Sequence, residues 1–189
     1  MADVQHTEAD RPRVLIRPLG RPGDLGWVVM AHGELYDAEF GWDTSFEALV
    51  ARIVADYATG HEPAREAAWI AEIDGARVGC VFCVAEDEQT AKLRILLVLP
   101  AGRGHGLGGR LVDTCVSFAR EAGYARMRLW TNDPLVAARR IYLQRGFVLT
   151  EQGPHHSFGV DLVGQVYELQ LNPRAGEATT VESPQGTAP

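Results

Sequence analysis

The sequence is poor in cysteine, in cationic charge and in long apolar runs, and each shortage removes a class of protein. Three cysteines in 189 residues cannot build a disulfide framework. Cys80 and Cys83 have C-x-x-C spacing, but they fall inside the strand pattern ARVGCVFCVA, where residues three apart point to opposite faces. They are therefore not expected to share a metal or to bridge. With Cys115, they read as small core residues of a reducing compartment. No run approaches the ~18 apolar residues of a membrane helix, and the opening MADVQHTEADRPR lacks the apolar centre of a signal peptide. A cytoplasmic chain with no membrane partner is expected. The 18 Lys and Arg are outnumbered by 25 Asp and Glu, for a net charge of −7, which argues against a general nucleic-acid surface. No metal is expected: His155 and His156 are adjacent, but no further His, Cys or Asp stands at ligand spacing.

What is present is ordinary globular composition, 46% hydrophobic and 23% charged, enough for one domain with a real core. Residues 1–12 are polar and aperiodic and read as a loose leader. Residues 173–189 read as a disordered Pro/Gly/Ser/Thr-rich tail, leaving a domain over 13–172. Arg13–Leu19 alternates as a first strand. Asp24 is placed to cap a helix carrying Leu25, Val28, Val29, His32, Leu35 and Tyr36. Thr44 and Glu47 form a capping box ahead of a second amphipathic helix ending near Gly60. Asp74-Gly75 joins strands Ala67–Ile73 and Ala76–Ala85 as a tight hairpin. In the next strand Leu93, Ile95, Leu97 and Leu99 alternate with Lys92, Arg94, Leu96 and Val98 until Pro100 stops it.

A glycine-rich turn follows, AGRGHGLGG, and then a helical stripe of Leu107, Leu111, Cys115, Phe118 and Ala122, closed by Gly123. After a strand at Ala125–Trp130, Asp133 and Pro134 are expected as N-cap and first residue of a helix that ends at Gly146. Phe147–Thr150 and Gln165–Leu171 are the last two strands, separated by Gln152–Gly164. The order is β-α-α-β-β-β-α-β-α-β-β: an antiparallel meander that crosses over only at the glycine turn. A doubly wound nucleotide fold would need repeated βαβ units.

The turn has an evident chemistry. The first N–H groups of a helix have no internal partner, and the helix dipole places partial positive charge there. Glycines let successive N–H groups converge on an anion, and Arg103 adds a cation. A phosphate or pyrophosphate suits such a site. Gly104, Gly106 and Gly109 satisfy G-x-G-x-x-G, with Asp133 downstream, whereas the P-loop pattern fails for want of Gly-Lys-Ser/Thr.

Arg103-Gly104-His105-Gly106-Leu107-Gly108 also fits R/Q-x-x-G-x-G/A, and Ala138, Tyr142, Gly146 and Phe147 stand as A-x-x-x-Y-x-x-x-G-F. Two ordered motifs are far more specific than one. Together they resemble the GCN5-related N-acetyltransferase (GNAT) family over roughly residues 13–171. The fold this resemblance implies is α/β (α+β), a mixed, mostly antiparallel sheet flanked by helices. HGELY at His32–Tyr36 and PHHSFGVDLVGQVYEL at Pro154–Leu169 resemble the acetyltransferase modules fused to MarR-type regulators. With a dozen residues ahead of the first strand, the catalytic module alone is expected.

The resemblance implies acetyl transfer from acetyl-CoA to an amine by direct attack in a ternary complex. The central strand would part from its neighbour after Val98, freeing the backbone of Leu97 and Val98 for the pantetheine amides. Arg103, Gly104, His105, Gly106, Leu107, Gly108 and Gly109 would hold the pyrophosphate. The family often carries Asn three residues before the motif alanine; here that position is Leu135, and Asn132 is the nearby substitute. Tyr142 would protonate the departing thiolate. His155 and His156 would line the acceptor pocket. Glu39, Glu72, Glu86 and Asp161 are the carboxylates that could serve as base. Two other classes stay open: a non-catalytic acyl-CoA-binding regulatory module, and a nicotinamide-binding oxidoreductase, which the meander and Arg103 disfavour. The acceptor is undetermined, as is the choice between monomer and homodimer.

Overall fold

The computed structural model describes residues 12–171. The leader up to residue 11 and the tail over 173–189 lie outside the described residues. The elements are β1 (Val14–Pro18), α1 (Asp24–Phe40), α2 (Thr44–Gly60), β2 (Ala67–Ile73), β3 (Ala76–Ala85), β4 (Thr90–Val98), a 3-10 turn (Pro100–Gly102), α3 (Leu107–Glu121), β5 (Arg126–Asn132), α4 (Val136–Gln144), β6 (Val148–Ser157) and β7 (Val160–Gln170). Their order is the expected one. The sheet has seven strands in the order β1-β2-β3-β4-β5-β7-β6, and the β4–β5 pair is parallel whereas the other five pairs are antiparallel.

Each face of the sheet carries its own core. Leu107, Leu111, Cys115 and Ala119 of α3 pack with Cys83, Leu93 and Met127 on one face. Val28, Ala31, Phe46 and Val50 of α1 and α2 pack with Ile70, Cys80 and Phe82 on the other. Cys80 and Cys83 thus sit on opposite faces, as the strand period requires.

The expected single alternation along β4 does not survive. Cys80 stands opposite Leu97 and Phe82 opposite Arg94, so Val81 alone spans both Ile95 and Leu96. This is a β-bulge, and it transposes the two faces. Leu93 belongs to the α3 core, while Ile95, Leu97 and Leu99 pack on the α1/α2 side. Ile95 adopts φ +44°, a rare conformation for a β-branched residue.

Several local expectations are also corrected. Asp24 does not cap α1, whose N-cap is Gly23. Its buried carboxylate accepts from the Gly20 and Arg21 N–H groups and pairs with Arg17 at 2.8 Å. Asp43, rather than Thr44, caps α2 by accepting from the Ser45 N–H. Asp133 lies outside α4, which starts at Val136, and accepts instead from the Val163 N–H on β7. The stretch expected to separate the last strands is mostly strand, with β6 and β7 joined at Phe158-Gly159, where both residues have positive φ. Phenylalanine is costly in that conformation. Its ring is buried against Trp42 at 4.8 Å and Phe46 at 5.0 Å, which offsets the strain.

Candidate active site

The functional geometry begins where two strands part. β4 and β5 pair from Thr90↔Arg126 only to Leu93↔Leu129. On its other edge β4 stays paired with β3 as far as Val98. The bulge turns β4 away, and one edge of Arg94–Val98 is left without a strand partner. The separation therefore starts after Leu93, five residues earlier than expected after Val98. Two adjoining cavities occupy the wedge: an outer groove of about 600 Å³ and an inner cavity of about 100 Å³. Tyr36, Leu96, Leu135 and Ala138 contribute to the walls of both.

The outer groove runs past Leu97 and Val98 to the glycine turn. Gly106, at φ +67°, is the N-cap of α3, and Gly104 has φ +81°. A side chain at either position would strain the backbone that aims these N–H groups. Gly108 and Gly109 serve close packing instead. A Cβ on Gly108 would lie 2.7 Å from Ile141, and one on Gly109 would collide with the Arg145 guanidinium. Arg103 reaches over the groove to Glu39 on α1 at 2.5 Å. His105 is exposed and donates from Nδ1 to the Arg103 carbonyl; it is absent from the groove wall. Arg145, which the sequence reading missed, also lines the groove and pairs with Asp113 at 2.6 Å. Its only signal was a position beside the motif glycine, Gly146.

The inner cavity holds Tyr142, which is buried and pushed well above the ordinary phenol pKa by desolvation. Asn132 lies on this inner wall rather than along the outer groove. Its amide oxygen is 2.9 Å from His155 Nε2, so His155 stands one hydrogen bond behind the cavity, with its ring near Trp130. His156, the next residue along β6, points the other way and meets Asp161 at 2.7 Å at the surface. Strand alternation separates the two imidazoles, and neither lines either cavity.

His32 occupies the wall where the sequence reading had only a helix stripe. It is 1% exposed. Its Nδ1 lies 2.8 Å from the Val28 carbonyl, which fixes Nδ1–H as donor. Nε2 makes no hydrogen bond among the described residues, although the Ile95 backbone acts on the ring. Desolvation, opposed by the Val28 and Ile95 backbone, pushes its pKa down to about 4, so the ring is neutral at pH 7.

The candidate carboxylates have other engagements. Glu72 is buried in an ion-pair cluster with Arg17 at 2.7 Å, remote from both cavities. Glu86 pairs with Lys92 and Arg128, and Asp161 with His156. Glu39 lines the outer groove but is held by Arg103.

The family model described as the acetyltransferase (GNAT) family matches residues 30–147. The chain belongs to the GNAT family. Among GNAT relatives, an N-acetyltransferase from Archaeoglobus fulgidus, itself uncharacterized, is 30% identical over 95 residues, 47% of this chain and 65% of that protein. The mycothiol acetyltransferase of Beutenbergia cavernae is 30% identical over 46% of this chain and 29% of its own. The aligned region thus spans less than two thirds of either relative. An uncharacterized N-acetyltransferase of Schizosaccharomyces pombe is 31% identical over 71% of this chain and 83% of its own. The fold matches a GNAT acetyltransferase from Staphylococcus aureus Mu50 at TM-score 0.69 and 18% identity, covering 85% of this chain and 100% of that one. It also matches a GNAT acetyltransferase from Elizabethkingia anophelis with acetyl-CoA bound, at TM-score 0.54 and 16% identity, over 84% and 98% of the two chains. Among the described residues no helix is long and apolar enough to cross a membrane.

Proposed function

We propose that this GNAT chain transfers the acetyl group of acetyl-CoA to an amine by direct attack within a ternary complex. The wedge between β4 and β5 carries the reading, because it joins an anion-binding turn to a separate buried cavity. The pyrophosphate fits the N–H groups around Gly104–Gly109 and the Arg103 and Arg145 guanidiniums. The unpaired edge at Leu97 and Val98 offers the pantetheine amides the hydrogen bonds a missing strand would make. The thioester then comes to the junction of the two cavities, beside Tyr36 and Leu96, and the amine enters from the inner side.

The amine lone pair attacks the thioester carbonyl, and an N–H on the open β4 edge stabilises the oxyanion. The nitrogen becomes strongly acidic as it acylates. His32 Nε2, on a neutral ring and without a hydrogen bond among the described residues, is the base we assign to take its proton. As the C–S bond breaks, Tyr142 gives its phenolic proton to coenzyme A thiolate. Asn132 and His155 position the inner wall through their mutual hydrogen bond.

The assay is thiol release from acetyl-CoA with a panel of amines. Amine-dependent release supports transfer, whereas coenzyme binding without release under any amine would support the regulatory module instead. The finer resemblance, to modules fused to MarR-type regulators, rests on HGELY, which lies on α1, and on PHHSFGVDLVGQVYEL, which forms most of the β6–β7 hairpin. Co-purification with a MarR-type regulator would test that association.

A further inference from the structure

The inner cavity contains a cation that the transfer chemistry leaves unused. Arg94 lies on β4 immediately before the bulge, opposite Phe82, and is one of the residues that line the cavity. It is partly buried, yet among the described residues its guanidinium has no hydrogen bond, ion pair or ring contact. Other partly buried arginines are engaged: Arg65 with the Glu88 carbonyl, Arg77 with the Gly23 carbonyl, Arg126 with Thr90 and Arg145 with Asp113. The described arginines without a side-chain partner besides Arg94 are Arg13, Arg52, Arg110 and Arg140, and all four are exposed.

A guanidinium has five donors in a rigid fork. Withdrawing it from water without an acceptor is costly, and the matching acceptor is a carboxylate bound through two parallel hydrogen bonds. Among the described residues no carboxylate fills that role. Glu86 is held by Lys92 and Arg128, and Asp56 acts on Arg94 only at a distance. Burial dominates the setting of Arg94 and pushes its pKa down. The second cation on the wall, Lys92, is paired with Glu86 at 3.2 Å, and the other lining residues, among them Trp42, Phe46 and Tyr142, are aromatic or neutral.

Scale limits the ligand further. Arg94 is two residues from Leu96 at the cavity junction, across the bulge at Ile95. The cavity volume of about 100 Å³ admits only a small ligand. An acid group on Arg94 and an amine at the junction must therefore belong to one small molecule.

Building on the acetyl-transfer reading, we propose that the acceptor is a small amino acid, with its carboxylate gripped by Arg94 and its amine presented at the junction. Arg94 is then a specificity residue. It binds the end of the substrate that does not react.

The test compares glycine, leucine, phenylalanine and 4-aminobutyrate with the amides of the same four compounds. Thiol release gives turnover, and calorimetry on protein saturated with coenzyme A gives binding independently of turnover. Wild type, Arg94→Gln and Arg94→Lys are measured, with acetyl-CoA affinity as the control for folding. Arg94→Gln should lower kcat/KM for at least one of the acids by about 30-fold or more, chiefly through KM. Rates with the amides should stay within about twofold, and Arg94→Lys should recover part of the loss. Using the same variants on acid and amide cancels their different amine pKa values. Binding of an acid without turnover, lost in Arg94→Gln, would sustain the carboxylate site while removing the transfer reading. The proposal is overturned if none of the acids binds, or if Arg94→Gln weakens acid and amide alike.

Discussion

Tyr142 and His32 line the same inner cavity, one from α4 and one from α1. Their environments act on them in complementary ways. Burial keeps the phenol protonated and the imidazole unprotonated at neutral pH, the states required of an acid and a base. Tyr142→Phe keeps the ring against Phe147 and removes the proton. We expect kcat to fall by about 10- to 10⁴-fold with acetyl-CoA affinity nearly unchanged; a wild-type rate with chemistry rate-limiting would make Tyr142 a packing residue. His32 also has a signature in stability. Its folded pKa of about 4 lies below the ordinary 6.5, so the unfolded chain binds the proton first. Stability should thus fall as pH drops from about 6.5 toward 4. His32→Asn should flatten that part of the profile, as read by urea melts across the range. Tyr142 was legible because it stands in an ordered motif. His32 was not, since an imidazole on an apolar helix stripe gives no sign of its open Nε2.

At the scale of elements, the turn and the bulge divide the work. The Gly104–Gly109 turn was readable because its glycines, its arginine and the change of apolar period all mark one place. The bulge was hidden, because ILLVL at Ile95–Leu99 is apolar at every position and cannot reveal a transposed face. Phe158-Gly159 escaped for another reason. Its positive φ at phenylalanine is held by tertiary burial, which no local turn propensity encodes. The Arg103–Glu39 pair that bridges α1 and the turn is also a long-range feature. On the proposed reading it competes with a bound pyrophosphate for the same guanidinium. Glu39→Gln should therefore tighten acetyl-CoA by about twofold to fivefold, the range of an exposed ion pair. Equal or weaker affinity by calorimetry would show that Glu39 does not restrain Arg103.

Across the whole molecule, element order and sheet class followed from periodicity and turn residues, while the active cleft depended on where two strands cease to pair. The domain's lower boundary can be probed directly. Leu171 is buried, donates to the Ala125 carbonyl and accepts from Arg120, so we propose that the domain's stabilising contacts end there. Deleting residues 173–189 should leave Tm within a few degrees; a larger drop would show that the segment docks on the domain. The account as a whole rests on acetyl-CoA lying along the open β4 edge with its pyrophosphate at the start of α3. Calorimetric titration of acetyl-CoA into the wild type and Gly106→Val tests this most directly. A β-branched residue is strained at the φ of +67° found there and would disturb the N–H groups that receive the anion. The account predicts saturable binding to the wild type and its loss in a variant whose circular dichroism is unchanged. Unaltered affinity in a folded Gly106→Val protein would contradict it.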